Sequence, residues 1–161
     1  YLSELIQKTD PLSPSEWCAM SDHIRSTLLA TPAGRRRFPS RGIGTGGTFT
    51  TLANVHRQEV GSHAPLHGYL LKAEDIETLA LRLAFSPQVA LRTTRGISID
   101  RAGIVPAGMC LAFQLVRHLG LKDVTVCDRG LREGLLMDII EKETGMKPTP
   151  RQRSTARNDI L

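Results

Sequence analysis

Between Arg41 and Thr51 the chain reads RGIGTGGTFTT, its richest glycine cluster. Glycine lacks a Cβ and tolerates positive φ, so such a run lets a backbone approach a ligand closely. A helix that follows offers unbonded N–H groups and the positive end of its dipole to an anion, usually a phosphate. Gly42, Gly44 and Gly47 also satisfy GxGxxG spacing. A dinucleotide fold would need a buried apolar strand before that motif and an acidic residue about 20 positions on. Here residues 35–40 read RRRFPS, and Glu74 and Asp75 open a helix instead. No Gly-Lys-Ser/Thr occurs, which excludes a Walker loop. A tight strand-to-helix turn without a ligand is the alternative reading.

Other residues have weaker claims. His63 and His67 are spaced like a helical metal pair, but Pro65 lies between them and no HExxH exists, so surface histidines are the default. Asp128, Glu133 and Asp138 flank the last strand and helix; carboxylates there could hold Mg²⁺, but more often cap a helix or face solvent. Arg101 precedes an apolar helix and is read as structural rather than as a cleft residue. Cys18, Cys110 and Cys127 are scattered, with no CxxC, so neither a disulfide framework nor a zinc site is expected. Cys110 and Cys127 read as small core residues, and this usage points to a reducing compartment, the cytoplasm.

The elements that would position the loop are legible from pattern. Ser13, Pro14 and Glu16 make a capping box with proline at the first helical position, and Leu12 and Trp17 stand where a hydrophobic staple would be. Trp17, Met20, Ile24 and Leu28 continue at helical spacing, and Ala33-Gly34 would close that helix. A strand over 37–44 leads into the glycines, and a helix follows from Thr48 to about Gln58. Residues 61–68 read as loop. Ala73–Phe85 is an amphipathic helix, with a short helix near 86–93. Arg101–Leu119 is apolar nearly all round, as in a buried helix, and Pro106 either bends it or marks its true start. Asp123–Cys127 is a strand, and Leu131 to about Lys142 a helix. This α/β order supplies only two strands, too few for a stable sheet, so the missing strands are expected from elsewhere.

Composition fits one globular domain: 161 residues, 40% hydrophobic and 23% charged. No run of about 18 apolar residues is apparent, so no membrane span is expected. The net charge is +5, concentrated in Arg35–Arg37 and in Arg151, Arg153 and Arg157. These runs read as solvated surface, or as attraction for a polyanion. Aromatics at 4% and no reader motif count against nucleic acid.

Three stretches taken together carry a resemblance: GIGTGGTFTTLA at 42–53, IVPAGM at 104–109 and VCDRGLREGLLMD at 126–138. From about residue 1 to 143 the chain resembles the exopolyphosphatase/guanosine pentaphosphate phosphatase (Ppx/GppA) family. The resemblance implies an α/β fold of the actin-like ATPase (ribonuclease H-like) group, in which two lobes clasp a phosphate cleft. Residues 1–143 would be a partial second lobe, incomplete at its N-terminus, and residues 144–161 a basic tail or linker. Gly44, Thr45, Gly46, Gly47 and Thr48 match the family's second-lobe glycine loop. Arg132, in the GLREGLL stretch that resembles the element against the interlobe hinge, joins them as a phosphate-binding candidate. Arg129 departs from the small residue of many relatives.

The implied activity is hydrolysis of phosphoanhydride bonds in polyphosphate or guanosine pentaphosphate, with Mg²⁺ as cofactor. The first-lobe phosphate loop, the catalytic glutamate and the Asp-containing GGGS loop would all precede Tyr1. No catalytic residue is therefore expected within this chain, and the chain alone is expected to be inactive. A homodimer is a candidate assembly. Two rival readings are a non-catalytic sensor or binding module of the same fold, and a basic nucleic-acid-binding protein.

Overall fold

The computed structural model describes residues 2–31 and 40–145. After a short helix α1 (Leu2–Ile6), helix α2 (Pro14–Ala30) starts as its sequence dictates. The Ser13 Oγ accepts the Glu16 N–H at 3.3 Å, and Glu16 Oε2 accepts the Ser13 N–H at 2.8 Å. Leu12, at the staple position, is 2% exposed. The helix ends earlier than the sequence pattern implies. Thr31 is already extended, with its N–H donating to Leu28 O. Thr31 precedes Pro32, and a residue before proline is pushed out of the helical region. The expected Gly34 cap lies outside the described residues, as do Arg35–Arg37 and positions 146–161.

Three strands form one sheet in the order β1-β3-β2: β1 is Arg41–Thr45, β2 Tyr69–Lys72 and β3 Asp123–Cys127. β1 and β3 are parallel, from Arg41↔Asp123 to Thr45↔Cys127, which makes the two expected strands direct neighbours. β2 is an additional strand, antiparallel to β3 and at an edge. Its four residues run straight into the next helix, so no alternation long enough to register as a strand exists in the sequence. One sheet face is buried through Leu71, Val124 and Val126, each at most 1% exposed. The opposite face puts Ile43, Thr125 and Leu70 in one row, with Ile43 80% exposed.

Helices α3 (Gly47–Glu59), α4 (Ala73–Ala84), α5 (Gln88–Thr93) and α6 (Val105–Leu119) complete this unit, with a 3-10 helix over Ile99–Ile104. The α-helical geometry begins only at Val105, with Pro106 in the first turn, so the proline marks the true start. Gly120 ends α6 in the left-handed conformation. α6 is the spine of the core and packs chiefly along α4 and α2. By length and composition the helical run Ile99–Leu119 is apolar enough to cross a membrane, which corrects the sequence expectation; half of its most apolar window is buried in this unit.

Compactness divides the chain into two units, Tyr1–Asp128 and Arg129–Leu161. The second contains helix α7 (Leu131–Thr144), none of whose residues is buried. Leu131, Leu135, Leu136 and Ile139 are all exposed on it.

Candidate functional site

The glycine loop is a strand-to-helix turn at the carboxyl end of the parallel pair β1/β3, the end at which open α/β sheets bind ligands. Three of its glycines are needed for three different reasons. Gly44 lies inside β1, where a Cβ would fall 2.5 Å from the Phe49 ring and 2.8 Å from Val124 Cγ1. Gly46, the N-cap of α3, has φ 82° and ψ 173°, a combination essentially restricted to glycine. The space where its side chain would stand is open to 4 Å. Gly47 opens α3 beneath a cation: a Cβ there would fall 1.7 Å from Arg101 Nη2 and 1.8 Å from Nη1.

The Arg101 guanidinium therefore occupies the space over the first residue of α3, with its two Nη atoms nearest Gly47. Gly46 brings no side chain to satisfy the first N–H groups of that helix. A cation beside the positive end of a helix dipole is unfavourable unless an anion joins them. Among the described residues no carboxylate pairs with Arg101. A small cavity of about 30 Å³ adjoins the pair, walled by Gly47, Thr48, Thr51, Arg101, Val105 and Gly108. Thr51 is 6% exposed, and neither its hydroxyl nor that of Thr48 has a hydrogen-bond partner among the described residues. Gly108 lets α6 come close: a Cβ there would sit 3.0 Å from Thr48 Oγ1.

The structure thus places Gly44 and Thr45 at the end of β1 and Gly46, Gly47 and Thr48 in the turn into α3. Arg132 belongs to the second unit, where it is exposed on the first turn of α7. Arg101, read from sequence as structural, is the cation at the loop. The sequence signal for it was indirect: a cation ahead of a helix whose Gly108 and Gly47 counterparts meet only in the folded chain. The dinucleotide reading fails, because Gly42 and Gly44 are themselves strand residues and β2 is antiparallel.

The carboxylates are engaged locally. Asp128 Oδ1 lies 3.1 Å from His67 Nδ1, Glu133 accepts the Gly130 N–H at 2.8 Å, and Asp138 pairs with Lys142 at 2.8 Å. His63 and His67 are exposed and do not assemble a metal pair, since His67 turns to Asp128. Among the described residues no cluster of three such donors exists, so they do not fit a Mg²⁺ site. Cys110 is buried, within 3.4 Å of Ser21 Oγ, and burial pushes its thiol pKa up, the opposite of an activated nucleophile. Cys127 is only half-buried and Cys18 is exposed, so the expectation of two core cysteines holds for Cys110 alone.

A mixed α/β unit with a glycine turn at the carboxyl end of parallel strands defines the class: this is about half of an actin-like fold. The chain belongs to the Ppx/GppA phosphatase family, whose model matches residues 2–143. It superposes on the Ppx/GppA family member of Aquifex aeolicus with a TM-score of 0.74 and 26% identity, covering 89% of this chain and 46% of that one. For an exopolyphosphatase of Cytophaga hutchinsonii the TM-score is 0.77 and identity 25%, over 88% and 46% of the two chains. Exopolyphosphatase 1 of Mycobacterium tuberculosis is 28% identical over 105 residues, 65% of this chain and 30% of that protein. An uncharacterized protein of Streptomyces coelicolor is 28% identical over 133 residues, 82% of this chain and 40% of its own length. The chain therefore spans less than half the length of these relatives.

Proposed function

We propose that this chain forms the glycine-loop wall of a phosphate cleft in a phosphohydrolase acting on phosphoanhydride bonds of polyphosphate or guanosine pentaphosphate. The observation that carries the reading is the Arg101 guanidinium resting on Gly47 at the start of α3, with no carboxylate partner among the described residues. Oriented N–H groups, a guanidinium and two unpartnered threonine hydroxyls offer converging donors to the oxygens of a phosphoryl group once Arg101 moves aside to admit it. The family and the exopolyphosphatase relatives support the reaction class. Among the described residues no carboxylate or imidazole lines the cavity, so the group that activates water would come from elsewhere. That same feature keeps a non-catalytic binding module of this fold as the second reading. Turnover by a protein of the relatives' full length separates the two.

The test uses tripolyphosphate and the 161-residue chain, followed through backbone amide signals. Tripolyphosphate is expected to shift the signals of Gly46, Gly47 and Thr48. Arg101→Gln should weaken that binding about tenfold, the loss of one charge-assisted contact. No shift in the unsubstituted chain, or the same affinity in Arg101→Gln, would overturn the assignment.

A further inference from the structure

Helices α2 and α6 carry two free thiols where they pack together, and the loop chemistry uses neither. Cys110, on α6, is fully buried, and its Sγ lies 3.4 Å from Ser21 Oγ on α2. Four residues before Ser21, Trp17 meets Phe113 edge-on, with ring centroids 5.4 Å apart. Residues 17 and 21 of α2 therefore fall against residues 113 and 110 of α6, and Cys18 stands between them. Three positions apart on one helix, Cys18 and Ser21 are neighbours, with Cβ atoms about 5–6 Å apart. Cys18 is exposed and Cys110 is not, so the thiols lie at the outer and inner sides of one helix contact. Their proximity is also electrostatic. Burial raises the Cys110 thiol pKa, the Ser21 hydroxyl works against that rise, and a thiolate at Cys18 adds to it.

We infer that Cys18 and Cys110 are a peroxide-sensitive dithiol pair that closes a reversible disulfide between α2 and α6. Burial divides the roles. Hydrogen peroxide reaches the exposed thiol, so the Cys18 sulfur attacks the O–O bond, which breaks to leave Cys18 as a sulfenic acid and release one water. The Cys110 sulfur then attacks Cys18 Sγ. The S–O bond breaks, hydroxide leaves with the Cys110 proton as a second water, and the S–S bond forms. Two electrons pass from the two thiols to one peroxide. Ser21 is a positioning residue: its hydroxyl, 3.4 Å from Cys110 Sγ, steadies negative charge on that sulfur as the proton departs. Bridged cysteines have Cα atoms about 4.4–6.8 Å apart, and small side chains such as Ser21 and Cys110 at the contact let two helices approach closely. Cys127 lies on β3 and takes no part. The inference does not depend on the loop reading, because it uses none of the loop residues.

The test treats the reduced 161-residue chain with one equivalent of hydrogen peroxide, alkylates the remaining thiols and maps the digest by mass spectrometry. The expected product is a Cys18–Cys110 cross-linked peptide pair lighter by two hydrogens, with Cys127 alkylated and the bridge reopened by dithiothreitol. In Cys110→Ala the sulfenic acid has no partner, so dimedone should label Cys18. In Cys18→Ser dimedone should label nothing at Cys110. Ser21→Ala should slow bridge closure about twofold to tenfold, the worth of one hydrogen bond, without changing the rate at which Cys18 is oxidised. The mapping of the unsubstituted chain needs no variant to fold. A parallel reaction in urea checks that the fold brings the thiols together, and closure should be slower there than in native buffer. Four results overturn the inference: Cys18 driven to sulfinic acid or to a disulfide between two chains with no Cys18–Cys110 bridge, a bridge to Cys127 instead, dimedone on Cys110 in Cys18→Ser, or closure as fast in urea as in native buffer.

Discussion

Within four residues, glycine serves packing at Gly44, backbone conformation at Gly46 and the close approach of Arg101 at Gly47. Substitutions should separate these roles. Gly44→Ala drives a methyl into Phe49 and Val124 and should cost about 1–3 kcal/mol of stability, as overpacking does. Gly46→Val meets no neighbour but forces a β-branched residue to φ 82°, at a cost of about 1–3 kcal/mol. Gly46 therefore affects folding as well as any ligand. Gly47→Ala displaces the end of a flexible arginine, so its thermal midpoint should stay close to that of the unsubstituted chain while tripolyphosphate affinity falls. Calorimetry and titration of the three variants give the pattern; equal affinity in Gly47→Ala would show that the Arg101 contact is incidental. At this scale the loop was legible because glycines at such density have few other uses. Arg101 was not, because nothing local ties residue 101 to residue 47: their contact exists only once α6 lies against α3.

Elements were legible where their signals are short-range and absent where they are not. The start of α2 is fixed by four consecutive residues and folds as its sequence reads. α1 and β2 were missed: neither exceeds five residues, and β2 is stabilised by pairing with β3, more than 50 positions away. The α2 start also has a pH signature. Glu16 accepts from the Ser13 and Thr9 hydroxyls and from the Ser13, Thr9 and Lys8 backbone N–H groups. The Ser13 hydroxyl first, then the Thr9 hydroxyl and the backbone donors, hold its carboxyl well below the usual carboxylate range. A pKa depressed in the folded state contributes stability above the unfolded value, and that stability is lost as pH falls toward the folded one. Glu16→Gln should therefore lower the thermal midpoint at pH 7, with the gap to the unsubstituted chain narrowing below about pH 4. A gap of the same size at pH 7 and pH 3 would show that the carboxylate charge plays no part.

For the molecule as a whole, two features describe the same incompleteness. The sheet buries one face and leaves Ile43 and Leu70 exposed on the other, although a three-stranded sheet in an α/β fold ordinarily has both faces covered. The chain also spans 46% of the Aquifex aeolicus and Cytophaga hutchinsonii structures. The chemistry is divided in the same way. Hydrolysis of a phosphoanhydride needs a held phosphoryl group and a water oriented and deprotonated by a base. In the proposed reading the loop cavity would supply the first through Gly47, Thr48, Thr51 and Arg101, and among the described residues no carboxylate or imidazole lines its walls for the second. Asp128 and His67 pair with each other, and Cys110 is buried with a raised thiol pKa. The 161-residue chain should accordingly bind tripolyphosphate while releasing no phosphate from long-chain polyphosphate above the buffer rate, with or without Mg²⁺. Phosphate release and binding measured on one preparation make the test decisive. Turnover comparable to that of an exopolyphosphatase of the relatives' full length would mean that a general base lies within these residues, and the division of labour between binding wall and catalytic group would be wrong.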